Sequence, residues 1–254
     1  MEPELGTVQS VARAFHLIEF IARSREEITL SALAEATELP LPTIHRLLRT
    51  LVSLGYVRQL PNRRYALGPK LIHVGEVASL QMGAWARPHL AAVVEQLGET
   101  ANMAILDGDR ATYVAQVPST HSMRMFTEIG RRVHTHSSGV GKALLAFLDE
   151  EHVQGIVAQA GLPVATPQTI GTAEALAREL DLIRGRGYAI DDGEQELGVR
   201  CVAVHVPNMP IPTAISVSGP VARIDDGFAE RAIPLLRQAA SEISAEATHV
   251  TLLS

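Results

Sequence analysis

Apolar positions recur at helical spacing from near the start of the chain. Val8, Val11, Phe15, Ile18 and Ile21 form one stripe, which predicts a helix over about residues 10–24 with Ser10 at its N-cap. After the polar RSREE and a short apolar ITL, Ser31 stands where a cap would open a second helix, SALAEATEL, closed by Pro40. Ile44, Leu47, Leu48, Leu51 and Leu54 then mark one face of a third helix beginning at Pro42 and ending at Gly55, a natural C′ residue. No Ser, Thr, Asp or Asn precedes Pro42, so this helix has no side-chain cap in the sequence. YVRQL and RRYAL flank a Pro-Asn turn and predict a β-hairpin with Arg63 and Arg64 leaving its tip. Helix, helix-turn-helix and hairpin together make a winged helix-turn-helix.

Pro69 opens a second helical region, punctuated by Gly83 and Pro88: a linker helix to about Met82, then a helix to Leu97 with Pro88 in its first turns. From Ala101 the period changes. ANMAILD and RATYVAQV flank a Gly-Asp turn as a hairpin, SMRMFTEI and RRVHTHS follow, and SSGVGKALLAFL is a Gly-rich turn running into an apolar helix. Asp149 begins another helix with Glu150 and Glu151, and Thr172 caps a further one that ends at Gly185 and Gly187. YAID, RCVAVHV and TAISVSG read as strands, and a last helix over about 226–247 must kink or restart at Pro234. Strands on both sides of a helical insertion, without regular β-α-β alternation, predict a multidomain α+β chain whose second domain holds an antiparallel sheet.

Charge sharpens this division. The 254 residues carry a net −6, yet residues 1–70 hold nine Arg/Lys against seven Asp/Glu, while residues 71–254 hold thirteen against twenty-one. No acidic residue occurs from Thr43 to Lys70, a span containing Arg46, Arg49, Arg58, Arg63 and Arg64. A helix with its own apolar spine and only positive charge outward fits a phosphate-bearing partner, so nucleic acid is expected at one end only. One cysteine excludes an internal disulfide framework, no apolar run reaches the ~20 residues that cross a bilayer, and MEPELGTVQS lacks the character of a signal peptide. A cytoplasmic protein is expected.

VQSVARAFHLIEF, LPLPTIHRLLRTLVSLGYV and the wing ending RRYALGPKL resemble the DNA-binding half of IclR-family transcriptional regulators. MRMFTEIGRRVHTHSSGVGKALLA and GYAIDDGEQELGVRCVAV, followed by AISVSGP, are similar to that family's two effector-domain segments; Pro207 departs from the aromatic or histidine usual before Asn208. The resemblance implies a winged helix-turn-helix domain over 1–68, a linker helix over 69–83 and a GAF-like effector-binding domain over 84–254. It implies a ligand-responsive regulator of a catabolic operon that senses a small organic acid or aromatic metabolite; the family holds repressors and activators, and a repressor is the expectation. Double-stranded DNA with a pseudopalindromic operator and a homodimer or homotetramer follow, with no cofactor and no membrane. Thr43, His45, Arg46, Arg49, Arg63 and Arg64 are the expected DNA-binding residues. The family's effector pocket maps onto Met125, Val133, Gly139, Val140, Asp191, Cys201, Ser216 and Ser218.

The residues themselves leave alternatives open. SSGVGK is too short for a P-loop, but the N–H groups of Gly139, Val140 and Gly141 at a helix start could receive a carboxylate, or simply form a tight strand-to-helix connection. Ser216 and Ser218 share one side of a strand and need partners if buried, from a polar ligand or from backbone. Asp191 beside a bound carboxylate must be protonated or accept from a ligand hydroxyl, which fits hydroxy or hydrated oxo acids. Cys201 reads as a small buried hydrophobe or as the nucleophile of a small-acid enzyme, and His134 with His136 as hydrogen-bonding groups or half a metal site. A protein-interaction module is the third alternative. No catalytic or metal-binding residue is assigned.

Overall fold

A computed structural model describes residues 8–24, 26–125 and 127–252; the stretch 1–7, part of the segment read against a signal peptide, lies outside them. The chain divides into two compact units, Met1–Ala78 and Ser79–Ser254.

The first unit contains α1 (Gln9–Ser24), α2 (Leu30–Thr37), α3 (Leu41–Ser53), β1 (Val57–Gln59), β2 (Tyr65–Leu67) and the start of α4 (Lys70–Met82). Leu17, Ile21, Leu33, Ile44, Leu48, Leu51, Val57 and Tyr65 make its core. Three expectations shift here. Ser10 lies inside the first turn of α1, and of the predicted stripe Val8, Val11 and Phe15 are exposed while Ile21 is buried, joined in the core by Leu17 from outside the stripe. The cap of α2 is Thr29, whose hydroxyl accepts from the Ala32 amide at 3.2 Å, with Ser31 already helical. The uncapped α3 begins at Leu41, and the Pro40 carbonyl accepts both the Thr43 and Ile44 amides at 2.9 and 3.1 Å, so backbone replaces the missing side chain. Its other end closes as expected: Gly55, at φ +81°, donates to the Val52 carbonyl and Tyr56 to the Leu51 carbonyl, the Schellman pairing that glycine at this position permits. β1 and β2 pair antiparallel, and Ile28 joins Tyr65 through reciprocal hydrogen bonds of 2.9 and 2.8 Å, which ties the wing to the loop before α2.

The second unit holds α5 (Arg87–Leu97), β3 (Thr100–Asp107), β4 (Arg110–Val117), β5 (Arg132–His134), α6 (Gly139–Leu145), α7 (Glu150–Ala160), α8 (Ala173–Arg186), β6 (Ala189–Asp192), β7 (Val199–Val206), β8 (Thr213–Pro220) and α9 (Asp226–Leu252). Its sheet runs β5-β4-β3-β8-β7-β6 with every neighbouring pair antiparallel. Met103, Val202, Val204, Ile215 and Val217 line one face and pack with Leu90 and Val93 of α5 and Phe228, Leu236 and Ile243 of α9. The opposite face is paved with Ala104, Ala111, Ala189, Ala203 and Ala214, small enough for α6 and α8 to lie close. SMRMFTEI forms no strand among the described residues, and RRVHTHS supplies only the three of β5. α9 runs through Pro234 without a break; Pro234 faces solvent, where water can satisfy the carbonyl that lacks its helical donor.

Candidate functional site

In the first unit the packing of Ile44, Leu47, Leu48 and Leu51 turns His45, Arg46 and Arg49 to solvent, with Thr43 half-buried at the edge. The guanidinium groups of Arg46, Arg49 and Arg63 make no hydrogen bond or ion pair among the described residues. Arg64 differs, because it donates to the Glu27 carbonyl at 3.2 Å while Asn62 reaches the Glu27 carboxylate at 2.9 Å. Part of its hydrogen-bonding capacity thus holds the wing. The surface presented by α3 and the hairpin tip is cationic, with no acid on the helix to neutralise it.

The second unit contains a small cavity of about 30 Å³ lined by Tyr113, Met125, Thr127, Arg131, Gly139, Asp191, Gln195, Glu196, Val199, Cys201 and Ser218. The sheet register explains three of these. Asp191 pairs with Cys201 and Cys201 with Ser218, so three polar side chains from β6, β7 and β8 stand in one row on the α6 face. Gly139 opens α6 directly above: a Cβ there would lie 2.9 Å from the Cys201 sulfur, so only glycine admits this approach. Met125 joins from the irregular segment after β4.

The other expected residues stand back from the cavity. Val133 and Val140 are buried in the α6 core, and Ser216 lies two positions down its strand, fully buried with its hydroxyl lacking a well-formed partner beside the weakly bonding Cys201 thiol. The expectation of free amides at the start of α6 changes at Gly141. Ser138 caps this helix, accepting from the Gly141 amide at 3.2 Å while donating to the His134 carbonyl at 2.8 Å. Tyr113, Arg131 and Gln195 also line the cavity, and nothing in their local sequence pattern aims them there.

Burial sets the chemistry of the row. It pushes the Asp191 carboxyl up to about 7, against the amides of Glu194 and Gln195 that favour its charged form, so near neutrality it can donate or accept a proton in a hydrogen bond. Burial pushes the Cys201 thiol up to about 12, with Asp191 adding to the shift; a thiol so rarely ionised is a poor nucleophile. Ser218 accepts from Asn102 at 3.2 Å, and Asn102 from Gln116 at 3.2 Å.

Two motif residues have structural roles instead. Lys142 of SSGVGK is 1% exposed and pairs with Glu194 and, at 3.8 Å, with Glu179, which also meets Arg186 at 2.7 Å. His136 packs edge-on against His134 and its Nε2 meets the Pro163 carbonyl at 3.1 Å; burial lowers the pKa of both rings. No group of three or more metal-ligating side chains occurs among the described residues.

Against this geometry the comparisons are consistent end to end. The IclR helix-turn-helix domain matches residues 10–61, and the bacterial transcriptional regulator IclR C-terminal domain matches residues 74–245. The chain belongs to the IclR family. "Transcriptional repressor IclR" of Escherichia coli is 38% identical over 249 residues, covering 95% of this chain and 91% of that one. The crystal structure of an IclR transcriptional regulator from Alicyclobacillus acidocaldarius superimposes with a TM-score of 0.84 at 30% identity, over 95% of this chain and 99% of that one. An IclR homologue from Microbacterium hydrocarbonoxydans, crystallised with 4-hydroxybenzoate, shares the fold with a TM-score of 0.81 at 23% identity, over 94% and 99%. This IclR-family chain is therefore a transcription regulator with an N-terminal helix-turn-helix DNA-binding domain and a C-terminal effector domain, and it is not an enzyme. Among the described residues no helix is long and apolar enough to cross a membrane.

Proposed function

We propose that this protein is a cytoplasmic repressor of a catabolic operon, released from or held on a pseudopalindromic operator by a small organic acid or aromatic metabolite. Residues 1–68 read DNA, 69–83 form the linker helix and 84–254 bind the effector. The observation that carries the DNA-reading half is the acid-free outer face of α3, on which Arg46 and Arg49 have no partner among the described residues. Placed in the major groove, Thr43, His45, Arg46 and Arg49 reach base edges or phosphates, while Arg63 and the remaining donors of Arg64 hold the adjacent backbone.

Relatives named as repressors, among them the Salmonella typhimurium "Acetate operon repressor", support the sign of regulation. Two copies are proposed because palindromic sites are read by symmetric pairs. Exposed apolar side chains support them: Val11 and Phe15 on α1, and Ile72, Val74, Val77 and Leu80 on α4. Effector binding is read as shifting operator affinity by a coupling of about 1–3 kcal/mol.

Arg46→Ala tests the DNA-reading half. Its side chain is exposed, so stability should stay within about 0.5 kcal/mol of wild type, while operator retention in gel shifts at physiological salt is lost. Unchanged affinity removes α3 from the groove. For the effector half, a thermal-shift screen of small organic and aromatic acids should find a stabilising compound whose effect Ser218→Ala removes.

A further inference from the structure

Resting on the reading of the cavity as the effector site, we propose that Arg131 is the residue by which that cavity selects a carboxylate effector over its uncharged counterparts. Arg131 is pinned where β5 approaches β4: its carbonyl accepts from the Tyr113 amide at 3.1 Å, its own amide donates to Glu128 at 3.1 Å, and the Gly130 amide donates to Tyr113 at 2.7 Å. This placement puts Arg131 on the cavity lining. The neighbouring Arg132 contacts Asp107 and Asp109 at 3.3 and 3.4 Å. The Arg131 guanidinium has no hydrogen bond or ion pair among the described residues.

The rest of the lining makes that free cation necessary for an anion. Asp191 and Glu196 are acidic, and the buried cation Lys142, which is outside the lining, is already held by Glu194 and Glu179. A carboxylate entering without its own counter-charge is repelled by these acids wherever they are ionised. Arg131 presents a planar fork that matches a carboxylate in two parallel hydrogen bonds. At the other end, the Gln195 side-chain amide oxygen is buried without a partner among the described residues and Asp191 belongs to the same lining, so a donor is needed there. The effector that satisfies both ends carries a carboxylate toward Arg131 and a hydroxyl toward Asp191 and Gln195. A volume of about 30 Å³ holds roughly one water. The exposed Arg131 and Glu196 side chains must therefore swing outward as such a ligand enters.

Calorimetric titration of the full chain with glycolate, lactate and 4-hydroxybenzoate, each beside its uncharged amide, tests this. In wild type at least one acid should bind more tightly than its amide. Arg131→Gln should weaken that acid roughly 10- to 100-fold with the amide unchanged, and Arg131→Lys should fall between. An unaltered melting temperature of Arg131→Gln confirms that folding is not the cause. Equal acid affinity in wild type and Arg131→Gln overturns the assignment, as does wild-type binding of no acid or of amides alone. If the acid is then weakened by Asp191→Asn and Ser218→Ala, only the role of Arg131 falls; if neither matters, the effector site lies elsewhere.

Discussion

Replacing Lys142 with methionine should destabilise the effector domain in a pH-dependent way. The substitution keeps the aliphatic volume inside α6 but removes the charge opposite Glu194. Glu179 keeps Arg186 at 2.7 Å, so the stranded group is Glu194, one of whose oxygens is already buried without a partner. Breaking a buried pair from one side typically costs about 3–5 kcal/mol. Glu194 can limit that loss by taking up a proton, which costs about 1.4 kcal/mol per pH unit above the ordinary 4.5. The ceiling is therefore about 5 kcal/mol at pH 8 and about 1.4 kcal/mol at pH 5.5. The sign agrees with wild type, where burial already raises the Glu194 pKa despite Lys142; a raised carboxyl stabilises below its unfolded value and loses that contribution as pH rises. Trp85, the chain's single tryptophan, packs against the core of this domain, so its fluorescence in urea reports the domain alone. Adding Glu194→Leu should restore most of the loss, since an apolar pair leaves no stranded charge. Equal losses at both pH values, or a double variant as unstable as the single one, would refute the reasoning.

Three further outcomes follow from the same geometry. Gly139→Ala should cost about 1–3 kcal/mol by urea denaturation and abolish effector binding, and Cys201→Ala in the same chain should recover the stability by removing the sulfur 2.9 Å from the new Cβ. Ser138→Ala should cost about 0.5–2 kcal/mol by the same measurement, because the Gly141 amide loses its acceptor. His89 bridges Glu242 and Glu246 at 3.1 and 2.7 Å; burial alone would lower its pKa, but these two partners raise it above 6.5. Its stabilisation should be complete below about pH 6.5 and fade as pH rises through the elevated value, so wild type and His89→Ala should converge in stability at alkaline pH.

The elements most legible in the sequence were those whose residues act on near neighbours. The apolar spine of α3, the glycine after it, the wing turn and the Thr172 cap all follow from spacing or from one backbone angle. The misses came where distant chain segments decide. Ser31 and Thr29 are equally good caps on paper, and the strand-like bridge at Ile28 to Tyr65 fixes which one stands at the helix entrance. Pro234 predicts a kink or a restart, but α9 does not restart there, because the exposed position leaves the freed carbonyl to water. Nothing in SSGVGK announces the ion pairs of Lys142, because Glu179 and Glu194 reach it from α8 and from the segment between β6 and β7. In the cavity, strand register brings Asp191, Cys201 and Ser218 abreast, whereas Val133, Val140 and Ser216 are set back by that same register and by the packing of α6.

The tightness of that cavity has a consequence for how sensitively a cell could be served by such a sensor. If room for a molecule larger than water exists only in an expanded minor form, the concentration at which the switch responds is set jointly by the contacts made and by how rarely that form occurs. A competent form present at about 1% weakens the apparent affinity about 100-fold. Substitutions that loosen the surrounding chain can therefore retune the response threshold while touching no atom of the signal molecule.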